Sequence, residues 1–342
     1  MDKKDEIILQ QLDVIRSMTE NGLKRMNTDF WGNPQPKKDV PKKEEVKKAE
    51  VEAETEKPAE EELPPPEKLE DLLAELDTYI GLDVIKEEVR SLINMVQIYK
   101  LRREHDLPTT DMSLHMVFSG NPGTGKTMMA RMMARIYRTL GILSKGQLVE
   151  VDRSGLVAGY VGQTAIKTKK VIDKAMGGVL FIDEAYALNG KSENDFGQEA
   201  IDTILKAMED HRDDLVVIVA GYTELMEDFV HSNPGLESRF NRFMFFPDYS
   251  VEEMMGIFDM RCKGSCYQLT EDARPLVRDY IAEESADQES FGNGRGVRNL
   301  FENIVVAQNN RLAKLDSVTR EQLMEITADD ILHARGKIDE EK

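Results

Sequence analysis

The residues Gly120-Asn121-Pro122-Gly123-Thr124-Gly125-Lys126-Thr127 lie between a short apolar run, 114–118, and a helix-like stretch, 127–137. Few patterns constrain a fold so tightly. A glycine-rich loop ending in Lys-Thr, with a strand before it and a helix after it, is a phosphate-binding loop. Gly120, Gly123 and Gly125 let the backbone turn tightly and aim its N–H groups at the β- and γ-phosphates, where the helix N-terminus adds positive potential. Lys126 supplies a point charge to the phosphates, and the Thr127 hydroxyl is a ligand suited to Mg²⁺. Residues 179–184 then read V-L-F-I-D-E, a buried-strand pattern tipped by two acids. Asp183, at the strand end, is placed to hold the metal, and Glu184 to polarise an attacking water. Loop and acids together predict that the chain binds ATP with Mg²⁺ and hydrolyses it.

Composition narrows the partners. The chain has 342 residues, 40% of them hydrophobic, which is enough for two or three folded units with a packed core. Its formal net charge of -19 disfavours non-specific binding to nucleic acid or to anionic membranes, since both need clustered Lys and Arg. No apolar run is long enough to span a bilayer, and Met1-Asp2-Lys3-Lys4-Asp5 does not open a signal peptide, so a cytoplasmic location is expected. Cys262 and Cys266 have no second pair or nearby histidine to complete a metal site and read as free thiols. His105, His115, His211, His231 and His333 are scattered without ligand spacing.

The chain divides by composition. Residues 1–27 hold an amphipathic helix, with Ile8, Leu12 and Ile15 at helical intervals. Residues 28–68 begin with the Phe30-Trp31 pair and continue as a Lys-, Glu-, Ala- and Pro-rich linker, which cannot bury enough surface to offset its ordering entropy. Over 69–247, strand-like runs at 114–118, 148–151, 179–182, 215–220 and 243–246 alternate with helical patterns, which predicts an α/β domain with a parallel sheet between helices. Over 248–336 the pattern is helical, with segments at 251–260, 271–283, 297–312 and 320–334 and no strands, a small all-helical lid. Met128, Met129, Met132 and Met133 read as core filling on the helix after the loop.

Two further segments narrow the class. Residues 233–240 read N-P-G-L-E-S-R-F and residues 292–299 read G-N-G-R-G-V-R-N at the start of a helix. With the loop and the acid pair, they make the chain resemble an AAA+ ATPase. The stretches 159–162 (G-Y-V-G), 177–188, 196–201 and 213–222 resemble the subfamily containing stage V sporulation protein K and the red-type Rubisco activases. The resemblance spans about 69–335 and leaves the first 68 residues outside it.

What the resemblance implies follows position by position. Arg239 corresponds to the arginine finger that reaches the nucleotide site of an adjacent subunit, a cation worth roughly 10³ to 10⁵ in rate. Arg242 is the alternative. The active form is then a homo-oligomer, expected to be a hexamer. Arg295 corresponds to the lid arginine that senses the γ-phosphate, with Arg298 as second candidate. Ile80 and Gly81, ahead of the first helix of the match, correspond to the segment that packs on adenine. Tyr160 and Val161 correspond to the pore loop, where an aromatic grips an extended polypeptide without reading its sequence. The polar residue that many members carry at the end of the fourth strand falls on Tyr222 or Thr223. The expected function is an ATP-driven remodeller of a protein substrate. The alternative is a nucleotide-gated assembly protein that recruits partners through its N-terminal helix without threading. Nothing in these residues encodes the substrate.

Overall fold

Five short strands, β1 (Met116–Ser119), β2 (Leu148–Val151), β3 (Val179–Ile182), β4 (Val216–Gly221) and β5 (Phe243–Phe245), pair in parallel in the order β2-β3-β4-β1-β5. The protein is described from a computed structural model, covering residues 64–109, 113–160, 162–190 and 195–336. The amphipathic helix expected within 1–27 and the Phe30-Trp31 pair lie outside the described residues. Every residue of β1, β3 and β4 is buried, as in a parallel sheet covered on both faces. Side chains alternate between the faces. Met116, Phe118, Phe181 and Ile218 join one apolar cluster, while Val117, Leu180, Ile182 and Val219 join the other.

Helices cover both faces. On the first lies α3 (Lys126–Thr139), which buries Met129, Met132, Met133, Ile136 and Tyr137 at helical spacing; Met128 is instead 38% exposed and does not belong to the core. Two helices precede β1 on this side: α1 (Leu69–Thr78) and α2 (Asp83–Glu104). The second face carries α5 (Thr164–Ala175), α6 (Gly197–Asp210) and α7 (Thr223–His231), preceded and followed by the short helices α4 (Arg153–Leu156) and α8 (Pro234–Arg239).

The region after β5 starts with a strong helix signal. Ser250 accepts from the Glu253 backbone N–H while the Glu253 carboxylate accepts from the Ser250 N–H, a capping box that opens α9 (Val251–Gly264). Then follow β6 (Gln268–Leu269), α10 (Ala273–Glu284), α11 (Gln288–Phe291), α12 (Asn293–Leu312), α13 (Arg320–Met324), β7 (Glu325–Ile326) and α14 (Ala328–Ala334). This is the helical lid, with one departure from the sequence expectation. The helix expected over 320–334 is broken by β7, which pairs in parallel with β6. The break has a clear cause. Gln308 on α12 donates to the carbonyls of Leu323 and Glu325, and Thr327 opens α14 by a capping box with Asp330. No helix among the described residues is long and apolar enough to cross a membrane.

His115 illustrates how the sheet handles a polar side chain. It is 5% exposed, its Nδ1 accepts from the Val217 N–H at 3.0 Å, and its ring meets Phe240 edge-on. Burial pushes the imidazole down to about 4, against a hydrogen bond to the Met208 backbone and with help from the Arg239 charge. The unfolded chain takes up this proton near the ordinary value of about 6.5, so between the two values the unfolded state binds more protons. The stabilisation is complete above that range and is lost as the pH falls. Between pH 7 and pH 5 the wild type should lose about 2 kcal/mol more than His115→Asn, whose amide oxygen keeps the acceptor for Val217 without titrating. Urea denaturation at the two pH values measures the difference, and parallel losses in both proteins would exclude His115 as the cause.

Candidate functional site

The register of the sheet brings three strand ends to one edge. Ser119 pairs with Gly221, and Ile182 with Val219, so the chain leaves β1, β3 and β4 side by side. In an open parallel sheet that edge is where ligands bind. The loop 120–127 leaves β1 here, and the Gly120 N–H donates to the Gly221 carbonyl at 3.1 Å. Two of its glycines are required by close approach. A Cβ on Gly120, at φ 143°, would lie 2.3 Å from the Phe246 carbonyl oxygen, and one on Gly123, at φ 75°, 2.1 Å from that of Gly292 in the lid.

Within the loop, Thr124 is fully buried and its hydroxyl donates to the Asn121 carbonyl. The Lys126 ammonium donates to the carbonyls of Gly120 and Asn121, both at 2.7 Å. Burial pushes Lys126 down to about 8, opposed by the nearby Asp183 charge and reinforced by Arg295. Those two side chains therefore lie within electrostatic reach of the loop lysine. Thr127, the second residue of α3, is half-buried. Asp183 is half-buried at the tip of β3, and one of its oxygens accepts from the Glu184 N–H. Glu184 is exposed and sits at φ 48°, ψ 44°, in the left-handed region that a non-glycine residue rarely occupies. That conformation turns the chain straight into the 3₁₀ turn Ala185–Leu188. Strain of this sort persists where the surroundings impose it, as at active sites. Among the described residues no three His, Cys, Asp or Glu side chains form a metal cluster. The hard oxygens of Thr127 and Asp183 fit a Mg²⁺ that completes its shell with phosphate and water.

Ile80 and Gly81 fall in the turn between α1 and α2, so a helix precedes as well as follows them. Gly81 and Leu82 are both left-handed, at φ 61° and 60°. The turn reaches the lid. A Cβ on Gly81 would meet the Glu253 carboxylate and the Tyr249 ring, and Ile80 lies 3.3 Å from the Cβ position of Gly256 on α9. Tyr249, 5% exposed, also donates its hydroxyl to the Thr124 carbonyl at 3.2 Å. Leu82 and Tyr249 thus border the loop at Gly125, while Ile80 packs on α9 at Gly256.

Arg295 lies in the first turn of α12, and a neighbouring Gly294 N–H donates to the Gly123 carbonyl at 3.2 Å. Arg298, one turn further, is paired with Glu302 at 2.7 Å. Arg239 and Arg242 are elsewhere. The Ser113 hydroxyl donates to the Arg239 carbonyl, which puts both arginines ahead of β1 and β5, at the strand ends opposite the loop. Arg239 pairs with Glu209 at 3.2 Å, while Arg242 points inward to the Ser113 carbonyl and the Met95 sulfur. Tyr160, between α4 and α5, is 73% exposed, and Cβ atoms on Gly159 or Gly162 would meet nothing within 4 Å. Val161 lies outside the described residues. At the end of β4 the Tyr222 ring tilts against Tyr186, 6.3 Å away, in the turn after Glu184, and Thr223 opens α7.

Sequence reasoning missed Asp248, Tyr249, Leu82 and the side chain of Asn293. Pro247 and Asp248 follow closely on β5. Their partners are distant in the chain, and no local pattern announces them.

Residues 116–248 match the family model described as ATPase family associated with various cellular activities (AAA), and residues 250–341 match the AAA lid domain. The chain is 43% identical over 272 residues to the chloroplastic ribulose bisphosphate carboxylase/oxygenase activase of Cyanidioschyzon merolae, covering 79% of this chain and 92% of that one. It belongs to the AAA ATPase family. Other relatives of this AAA ATPase include stage V sporulation protein K of Bacillus subtilis, 40% identical with 77% and 82% of the two chains covered. A CfxQ homolog of Galdieria sulphuraria is 44% identical with 78% and 88% covered. Among solved structures, a RuvB mutant of Thermotoga maritima matches with a TM-score of 0.51 at 17% identity, over 77% of this chain and 71% of that one, a likeness of fold. The chain is an ATP hydrolase of this family, with the phosphate loop in its nucleotide-binding core.

The contact between loop and lid is directly testable. Gly123→Ala places a methyl group against the Gly292 carbonyl at a backbone angle alanine rarely adopts. The variant should lose about 1–3 kcal/mol of stability and at least about tenfold in kcat/KM for ATP. Thermal melting and steady-state hydrolysis measure the two; a wild-type rate would exclude the close approach of the lid seen here.

Proposed function

We propose that this AAA ATPase works as a hexameric ring that remodels a protein substrate by drawing a segment of it into a central pore. The observation that carries the reading is the position of Arg239, at the strand ends opposite the phosphate loop of its own chain. A finger so placed serves only a neighbouring subunit's site. In that site Lys126 and the loop N–H groups hold the phosphates, and Thr127 and Asp183 hold Mg²⁺, which neutralises charge on them. Glu184 orients and deprotonates the attacking water, the neighbour's Arg239 offsets the charge that develops on the phosphoryl oxygens, and Arg295 reports the γ-phosphate to the lid. Ile80, Gly81 and the Tyr249 ring receive the adenine.

The work is delivered through Tyr160. A ring 73% exposed on a loop with open space around both flanking glycines is costly to hold in water and suited to gripping an extended chain. A protein substrate also agrees with the name of the Cyanidioschyzon relative, an activase of another enzyme. With its acidic balance the chain is not read as a nucleic-acid motor.

Two inactive variants test the shared site. Arg239→Ala keeps its own phosphate loop and lacks the finger, whereas Lys126→Ala keeps the finger and lacks the loop charge. Mixed in equal amounts they should recover about a quarter of the wild-type rate, the fraction of sites with an intact loop facing an intact finger. Steady-state ATPase of the re-assembled mixture reads this, and a mixture no faster than its parts would end the assignment in trans. Separately, Glu184→Gln should bind ATP and turn over at least about tenfold more slowly, while Tyr160→Ala should hydrolyse ATP normally and fail to remodel. A Tyr160→Ala protein that still remodels its substrate would exclude the threading model.

A further inference from the structure

Besides the direct bonds from Gly294 to Gly123 and from Asn293 to Pro122, one carboxylate links the lid to the phosphate loop. Asp248 follows β5 and Pro247 at the point where the core passes into the lid. Both its oxygens accept from the Asn121 side-chain amide, at 3.0 and 2.9 Å, and Oδ1 also accepts from the Asn293 amide at 2.7 Å. Asn121 belongs to the loop, and Asn293 is the first residue of α12, two positions before Arg295. One shared acceptor therefore bridges the loop and the helix that carries Arg295.

Asn293 is built for this position. It is fully buried at φ 52°, a left-handed backbone conformation that asparagine tolerates better than most residues. Its hydrogen-bonding capacity is used on both sides. Nδ2 donates to Asp248 and to the Pro122 carbonyl at 3.3 Å, and Oδ1 accepts from the Tyr249 N–H at 2.9 Å. Glycine would keep the backbone and lose all three contacts. Aspartate would keep the acceptor and set a second negative charge against Asp248. Moving Arg295 relative to the phosphates means moving Asn293, and Asn293 cannot move without disturbing the carboxylate that also orients Asn121.

We infer that Asp248 and Asn293 are positioning residues of the ATPase reaction, acting through Arg295 and the phosphate loop by fixing the one against the other. The inference rests on the reading of Arg295 as the lid residue that addresses the γ-phosphate. Neither residue touches the reacting atoms. Their effect is on turnover once nucleotide is bound, more than on capture of the nucleotide.

Steady-state ATPase of the full chain, with Asn293→Gly and Asp248→Ala each made in the wild type and in Arg295→Ala, tests it. In the wild type Asn293→Gly should lower kcat about tenfold with KM changed less than about threefold, and in the Arg295→Ala background it should cost nothing further. Asp248→Asn, which keeps one acceptor oxygen for both asparagines but sets an amide nitrogen where Oδ2 accepts from Asn121, should retain more kcat than Asp248→Ala, which should lose about tenfold. If Asp248→Ala fails to fold, the Asn293→Gly pair decides, since glycine preserves the backbone angle. Equal losses in both backgrounds would make the two residues merely structural and overturn the inference, as would wild-type kinetics for Asn293→Gly. An Arg295→Ala protein that hydrolyses at the wild-type rate would overturn the reading of Arg295 itself. The two failures are thus distinguishable.

Discussion

Two asparagine amides share the carboxylate of Asp248, and the nucleotide site takes its form from that shared acceptor. Inside the loop the Thr124 hydroxyl and the Lys126 ammonium bond the carbonyls of Gly120 and Asn121, and further support comes from outside it. Hydrogen bonds to an ionised acceptor are among the stronger ones in proteins, about 1.5–3 kcal/mol each. Around this centre the Gly294 N–H meets the Gly123 carbonyl, and the Tyr249 hydroxyl meets that of Thr124. The loop is thereby braced from the lid side at Asn121, Pro122, Gly123 and Thr124, leaving the N–H groups at the start of α3 as the face turned to phosphate. The absence of a side chain at Gly123 is the condition for this bracing, since the Gly292 carbonyl occupies the space a Cβ would need.

The opposite wall is made by the sheet. Parallel strands in register deliver Ser119, Ile182 and Gly221 to a common edge, and the residues that follow them inherit that proximity. Asp183 comes within electrostatic reach of Lys126 without any direct bond between them. Glu184 is then turned away from the strand by its left-handed backbone, and the turn behind it packs Tyr186 against Gly221. The two neighbouring acids are thus set apart by one left-handed dihedral pair. The same sheet carries the phosphate loop at one end and Arg239 at the other, so Arg239 stands away from the loop of its own chain.

How much of this was legible in the sequence depends on how local each constraint is. The phosphate loop is written in adjacent residues, because a tight turn demands glycine and a phosphate demands lysine. The strands are legible because a sheet buried on both faces needs continuous apolar runs, as in V-L-F-I before Asp183 and V-V-I-V before Ala220. Asp248 was not legible. Its partners lie 127 residues before it and 45 after it, and a lone Asp after Pro at a strand end carries no local mark of either. The break of the last helix at Glu325 escaped for the same reason, since Gln308, which holds the broken backbone, comes from α12. Met128 escaped because helical spacing puts four methionines on one helix without saying which of them faces the core.

Arg239 and Arg242 are held by their own chain in different ways. The terminal nitrogens of Arg239 reach Glu209, the Gly235 carbonyl and the Ser238 hydroxyl, at 3.2 to 3.4 Å, while its Nε is buried without a partner. Such long contacts, one of them to a Glu209 carboxylate that is 61% exposed, form a weak hold. Exposed pairs are worth about 0–1 kcal/mol, so exchanging Glu209 for a phosphoryl oxygen costs little on the side of the donor. Arg242 is held by the Ser113 carbonyl and packed on Met95, and its release would leave a part-buried carbonyl to find another donor. The difference between these two arginines, three residues apart and equal in charge, is therefore one of what each would leave behind. On that measure Arg239 is the one free to leave.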